Sequence, residues 1–157
     1  CPYEGITSIA AVVNVVKALA DLDFYQISLG DTVGVGTPTQ TEEIVDAVGA
    51  IIPLSRLALH LHDTRGTALA NALTGLSMGI TTFDASIGGL GGCPYAPGAA
   101  GNLATEDLLY MLQGMGISSG VDLSKLVEAG ALAQDLIGRK LPGKYLQAAL
   151  GSDRRSS

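Results

Sequence analysis

The chain has 157 residues, 47% hydrophobic and 15% charged, with a formal net charge of −6. That length supports one sizeable core and the composition excludes a disordered chain, while the acidic balance argues against nucleic acid, whose phosphates need clustered Lys and Arg. Every apolar stretch breaks off well before the roughly 18 residues of a membrane span, so no membrane partner is expected.

Cys1-Pro2-Tyr3-Glu4-Gly5 reads as a loop following a strand that the chain does not contain. From Ser8 to Asp21, apolar residues recur at helical spacing (Ile9, Val12, Val13, Val16, Leu19, Ala20), predicting a helix with Ser8 as its N-cap. Phe24 to Leu29 reads as a strand running into Gly30-Asp31-Thr32-Val33-Gly34-Val35-Gly36-Thr37-Pro38. Thr39 or Thr41 is expected to cap a helix to about Ile52, broken by Pro53. Arg56 to His62 is the next strand and Thr67 to Met78 the next helix, closed by Gly79. Ile80 to Ile87 is a third strand, followed by the glycine-rich run Gly88 through Asn102. Two more helices follow, Thr105 to Met115 and Asp122 to Ile137, the latter capped by Asp122. Beyond Arg139 the pattern weakens.

Strand–helix alternation with nearly continuous apolar strands predicts an α/β fold with a parallel sheet covered by helices. The distinctive polar residues fall at the C-terminal ends of strands, as in a (β/α) barrel, and no Gly-x-Gly-x-x-Gly turn points to a dinucleotide fold. Three strand–helix units cannot close an eight-stranded barrel, which typically needs about 250 residues. The chain is therefore read as the C-terminal part of a (β/α)8 TIM barrel, three units plus an extra C-terminal helix. Residues 1–150 form the partial catalytic domain and 151–157 a flexible tail.

Leu59-His60-Leu61-His62-Asp63 carries the sharpest chemical signal. Strand alternation puts His60 and His62 on one face, where two imidazoles supply half of a divalent-metal site; the plainer reading is one core histidine and one exposed. Asn102 is a candidate oxygen ligand or a turn residue. Nitrogen and oxygen ligands completed by water suit Mg²⁺ or Mn²⁺ better than structural Zn²⁺. Asp63, of opposite parity, is expected to support a ligand or cap a helix.

Cys93, between Gly92 and Pro94, is a candidate proton donor or acceptor beside a bound substrate, and the flanking glycines would let its loop close. Asp31 orients a substrate hydroxyl or caps the next turn. Arg139, Lys140, Lys144 and the Arg154-Arg155 pair read as solvated surface, with contact to an anionic ligand as the alternative. Two cysteines, Cys1 and Cys93, do not make a secreted disulfide framework, so reduced thiols are expected.

The segments Ile27 to Pro38, His60 to Thr64 and Gly88 to Asn102, with Asn102-Leu103-Ala104-Thr105-Glu106-Asp107-Leu108, resemble the 3-hydroxy-3-methylglutaryl-CoA lyases over nearly the whole chain. Related metal-dependent synthases share the His-x-His but lack the Gly-Gly-Leu-Gly-Gly-Cys-Pro-Tyr-Ala run. The resemblance implies cleavage of an acyl-CoA substrate to acetyl-CoA and acetoacetate, as in leucine degradation and ketone-body formation. It implies a divalent cation held by His60, His62, Asn102 and an aspartate of the first strand, with His60 also in proton transfer. Cys93 matches the family's catalytic loop cysteine and Asp31 an active-site aspartate.

The family's Arg-Asp pair on the first strand and a glutamate on the second have no counterpart in this chain. The complete parent is expected to be a homo-oligomer, a dimer, cytoplasmic in a bacterium or in the mitochondrial matrix of a eukaryote. Two other readings stand beside it: a related aldolase or acyltransferase of the same barrel superfamily, and a non-catalytic fragment needing a partner chain.

Overall fold

The computed structural model describes residues 1, 3–22, 24–92 and 101–153. Its elements in chain order are helix α1 (Ile9–Ala20), strand β1 (Ile27–Asp31), helix α2 (Pro38–Gly49), strand β2 (Leu57–Leu61), helix α3 (Ala68–Met78), strand β3 (Thr82–Asp84), and helices α4 (Thr105–Gly114), α5 (Leu123–Ile137) and α6 (Lys144–Asp153). The strands form one parallel sheet in the order β1-β2-β3. Consecutive order without reversal is the wall of a barrel, with a helix crossing over between each pair.

The leucines of β2 face the helices. Leu57, Leu59 and Leu61 are buried, joined by Ile27 of β1 and by Val45, Val48, Ala68, Ala72 and Ile80. Packing there is tight: a Cβ built on Gly75 of α3 would lie 2.4 Å from Leu59 Cδ1, so any larger residue there requires the buried Leu59 side chain to move. The opposite face is polar and alternates with the first, as the two-residue period demands. On it Gln26 donates to Thr82 Oγ1 at 3.0 Å and Ser28 to Asp84 Oδ2 at 2.9 Å. These bonds join the outer strands across β2, over the small side chain of Ala58, which pairs with Ser28 and Thr82.

Ser8 caps α1, its Oγ accepting the Ala11 amide, and Asp122 caps α5 through the amides of Ser124 and Lys125. Gly79 closes α3 at φ 104°. Other boundaries moved. β1 starts at Ile27 and not Phe24, because its pairing with β2 begins at Ile27↔Leu57 and extends to Asp31↔Leu61. Helix α2 is capped by Thr37, not Thr39 or Thr41. Pro38 opens it, a position where a missing N–H costs nothing, and Gln40 Oε1 accepts the Thr37 amide at 3.0 Å. β3 keeps only three of the eight residues expected. Ile80 is used in the turn that ends α3, its amide bonding the Gly75 carbonyl, and Ser86 leaves β3 to bridge Ala104.

Helix α6 lies where the sequence pattern weakens. Its cap comes from α4: the Asp107 carboxylate accepts the amides of Lys144 at 3.0 Å and Tyr145 at 2.6 Å. The helix runs through Gly151 to Asp153, inside the segment expected to be tail; residues 154–157 lie outside those described.

Candidate metal centre

His60 and His62 stand at the C-terminal end of β2 and on its polar side, as the alternation requires. Their Nε2 atoms approach to 3.3 Å, with ring centroids 5.3 Å apart and planes tilted by 54°. Two ring nitrogens this close, pointing together from one strand, can share a ligand-sized position.

Asn102 reaches the same place from the far side of the glycine run. It forms an antiparallel bridge with His62, flanked by the bonds Asp63 N–H to Gly101 O (3.1 Å) and Leu103 N–H to Leu61 O (2.9 Å). Those bonds bracket the pair, so His62 and Asn102 are the non-hydrogen-bonded partners, whose side chains project to one side and come closest. Asn102 Nδ2 donates to Leu90 O at 2.9 Å, whereas its Oδ1 is buried without a hydrogen-bond partner, as is His62 Nδ1.

The surrounding groups have separable tasks. Asp84, in register with His60 across the sheet, places Oδ2 3.4 Å from His60 Nδ1, and Ser28 Oγ holds that same oxygen. A carboxylate behind the outer ring nitrogen leaves Nε2 as the nitrogen with a free lone pair. Asp31 accepts the amides of Val35 and Gly36 at 3.1 and 2.9 Å, so of its two expected roles the structure shows the turn cap. Asp63 caps α3 through the Ala68 amide and meets Lys144 Nζ at 3.2 Å.

Charge also favours neutral imidazole at the inner position. Burial, above all, pushes the His62 pKa down, and the nearby His60 adds to this, while the Asp31 carboxylate pulls it partly back. Glu106, fully buried, takes the Gly88 amide on both carboxylate oxygens at 3.0 and 2.8 Å. Its burial raises the carboxyl pKa, opposed by those bonds. Gly88 itself sits at φ 58° with a would-be Cβ 2.5 Å from Leu141 Cδ1, and its carbonyl accepts the Gly143 amide. The start of the glycine run is therefore clamped between α4 and the approach to α6.

Two converging ring nitrogens and an orphaned buried amide oxygen fit a divalent cation. Among the described residues no group of three His, Cys, Asp or Glu side chains could hold an ion. The candidate set in this chain is two imidazoles and a carboxamide. Cys93 lies outside the described residues; Cys1 is free and exposed. Arg139, Lys140 and Lys144 line, with Gly89, Gly91 and Gly101, a cleft of about 750 Å³ beside the glycine run.

The sequence reading gave no role to Asp84, Ser28 or Glu106. Only Asp84 left a cue, being a carboxylate inside a strand with the parity of the inner face.

The HMGL-like family model matches residues 1–133 of this chain. Mitochondrial hydroxymethylglutaryl-CoA lyase of Bos taurus is 55% identical over 148 residues, 94% of this chain and 46% of that protein. The crystal structure of a Bacillus subtilis HMG-CoA lyase superimposes with a TM-score of 0.91 at 50% identity, covering 94% of this chain and 50% of that one. An HMG-CoA lyase of Acinetobacter baumannii, solved with coenzyme A and 3-methylmalate, gives 0.90 at 40% identity, covering 94% and 48%. The chain thus spans about half the length of the relatives it matches. Among the described residues no helix is long and apolar enough to cross a membrane.

Proposed function

We propose, for a chain that belongs to the HMGL-like family, that it forms the metal-bearing half of a barrel whose whole protein cleaves 3-hydroxy-3-methylglutaryl-CoA to acetyl-CoA and acetoacetate. The observation that carries this reading is the convergence of His60 and His62 Nε2 at 3.3 Å beside an Asn102 whose amide oxygen is left unpaired. His60, His62 and Asn102 would hold a divalent cation, Mg²⁺ or Mn²⁺. Such an ion supplies Lewis acidity to the substrate oxygens and lowers the pKa of a tertiary hydroxyl.

His60, with Nε2 turned to the cation and Nδ1 on Asp84, serves as a ligand, and the proton of the substrate hydroxyl leaves to a base outside the described residues. The oxygen then forms the ketone of acetoacetate as the bond to the carbon alpha to the thioester breaks. That electron pair passes into the thioester enolate, and Cys93 delivers a proton to its carbon to give the acetyl group. The cleft lined by Arg139, Lys140 and Lys144 faces the anionic carrier, a reading supported by the coenzyme A bound to the Acinetobacter relative.

In the whole protein, His60→Ala and Cys93→Ala are each expected to abolish acetoacetate release, with His60→Ala also weakening Mn²⁺ binding. Asp84→Asn should lower turnover at least about tenfold, the usual effect of removing a histidine's outer partner. Full cleavage by the His60 or Cys93 variant refutes the role given to that residue.

A further inference from the structure

An asparagine can ligate a hard cation only through its oxygen, so one end of the carboxamide must be selected. In this chain the selection is made by a backbone carbonyl. Leu90 O accepts Asn102 Nδ2 at 2.9 Å and also the hydroxyl of Ser86. With the nitrogen engaged, Oδ1 is the end left buried and unpartnered.

The backbone around this carbonyl is pinned from both sides. Ser86 N–H bonds Leu103 O and Thr105 N–H bonds Ser86 O, so Ser86 is attached to the backbone that directly follows Asn102. The Leu90 amide in turn bonds Ile87 O, closing the turn that brings its carbonyl round. Gly91 completes the cradle. It sits at φ 103°, and a Cβ there would come within 2.5 Å of Asn102 Nδ2. Any other residue at this position would therefore push the amide off the carbonyl.

We propose that Ser86 is a positioning residue for the metal centre, fixing through the Leu90 carbonyl which end of the Asn102 carboxamide is presented as ligand. The proposal rests on the metal reading above. Without the Ser86 hydroxyl the Leu90 carbonyl loses one of its two donors, and the amide plane is free to rotate or flip. Thr retains the hydroxyl and suits the extended backbone of Ser86, at φ −127° and ψ 151°.

The test is Mn²⁺ binding to the whole protein, followed by electron paramagnetic resonance and calorimetry, independent of turnover. Ser86→Ala is expected to weaken Mn²⁺ at least about tenfold and to change the spectrum of the bound ion, with the unfolding midpoint nearly unchanged. Ser86→Thr should restore both, and Gly91→Ala should weaken binding at least as much as Ser86→Ala. If Asn102→Ala and His62→Ala lose Mn²⁺ while Ser86→Ala binds it with the wild-type affinity and spectrum, the positioning role is wrong and the metal site stands. If Asn102→Ala still binds Mn²⁺ like the wild type, the metal reading falls and takes this proposal with it.

Discussion

At the scale of single residues, the centre is made of side chains whose neighbours decide which atom is offered. His60 has Asp84 behind its outer nitrogen, and Asn102 has Leu90 O on its amide nitrogen. His62 differs, being buried with Nδ1 unpartnered, and its environment disfavours the proton. The unfolded chain binds a proton at His62 near the ordinary value of about 6.5, whereas the folded chain takes it up only at lower pH. Stability from this residue is thus complete above the ordinary value and lost as pH falls toward the depressed one. In the metal-free protein, the urea midpoint should drop as pH falls below the ordinary histidine value of about 6.5, and His62→Gln should show a shallower drop. Equal slopes for the two proteins would contradict the burial argument.

The elements show which signals are local and which are not. Ser8 and Asp122 were readable as caps because the capped amides lie two or three positions away in the chain. His60 and His62 were readable because strand parity is a backbone property. Thr37 was missed although it too is a local cap, since Thr39 and Thr41 compete on composition alone and Pro38 decides the matter. Three other features have no local trace. β3 shrinks because Ser86 is drawn to Ala104, α6 is capped by a residue of α4, and Glu106 spends its charge on Gly88. Each is a contact between segments that sequence spacing does not connect.

The cap on α6 has a measurable weight. Asp107→Ala removes the acceptor for two amides and should lower stability by about 1–2 kcal/mol, seen as a shift of the urea midpoint. Asp107→Asn keeps one oxygen and should lose less. An Asp107→Ala variant as stable as the wild type would mean that α6 is held by packing of Leu146, which is fully buried, rather than by its cap.

As a whole molecule, the described part is a wall and not a closed barrel. Among the described residues β1 and β3 each pair on one side only, and the polar face that carries His60 is open. Open parallel edges favour association. The 157-residue chain produced alone is expected to elute above its 16.0 kDa mass on a sizing column and to release no acetoacetate. A cooperative monomer with turnover would overturn the half-barrel reading. The barrel class was visible in the rhythm of strands and helices and in the clustering of polar residues at strand ends. What closes the open face was not, because that depends on groups beyond these strands.

The bridge between His62 and Asn102 brings a consequence of its own. A two-residue period means that slipping the returning segment by one position turns each side chain to the other side. Gly101 or Leu103 would then stand opposite His62, and neither has a side-chain atom able to donate electrons to a cation. The choice between a working centre and an inert one is therefore made while the chain is folding. It depends on whether the Leu103 amide finds Leu61 and the Asp63 amide finds Gly101, two main-chain bonds that no substrate touches.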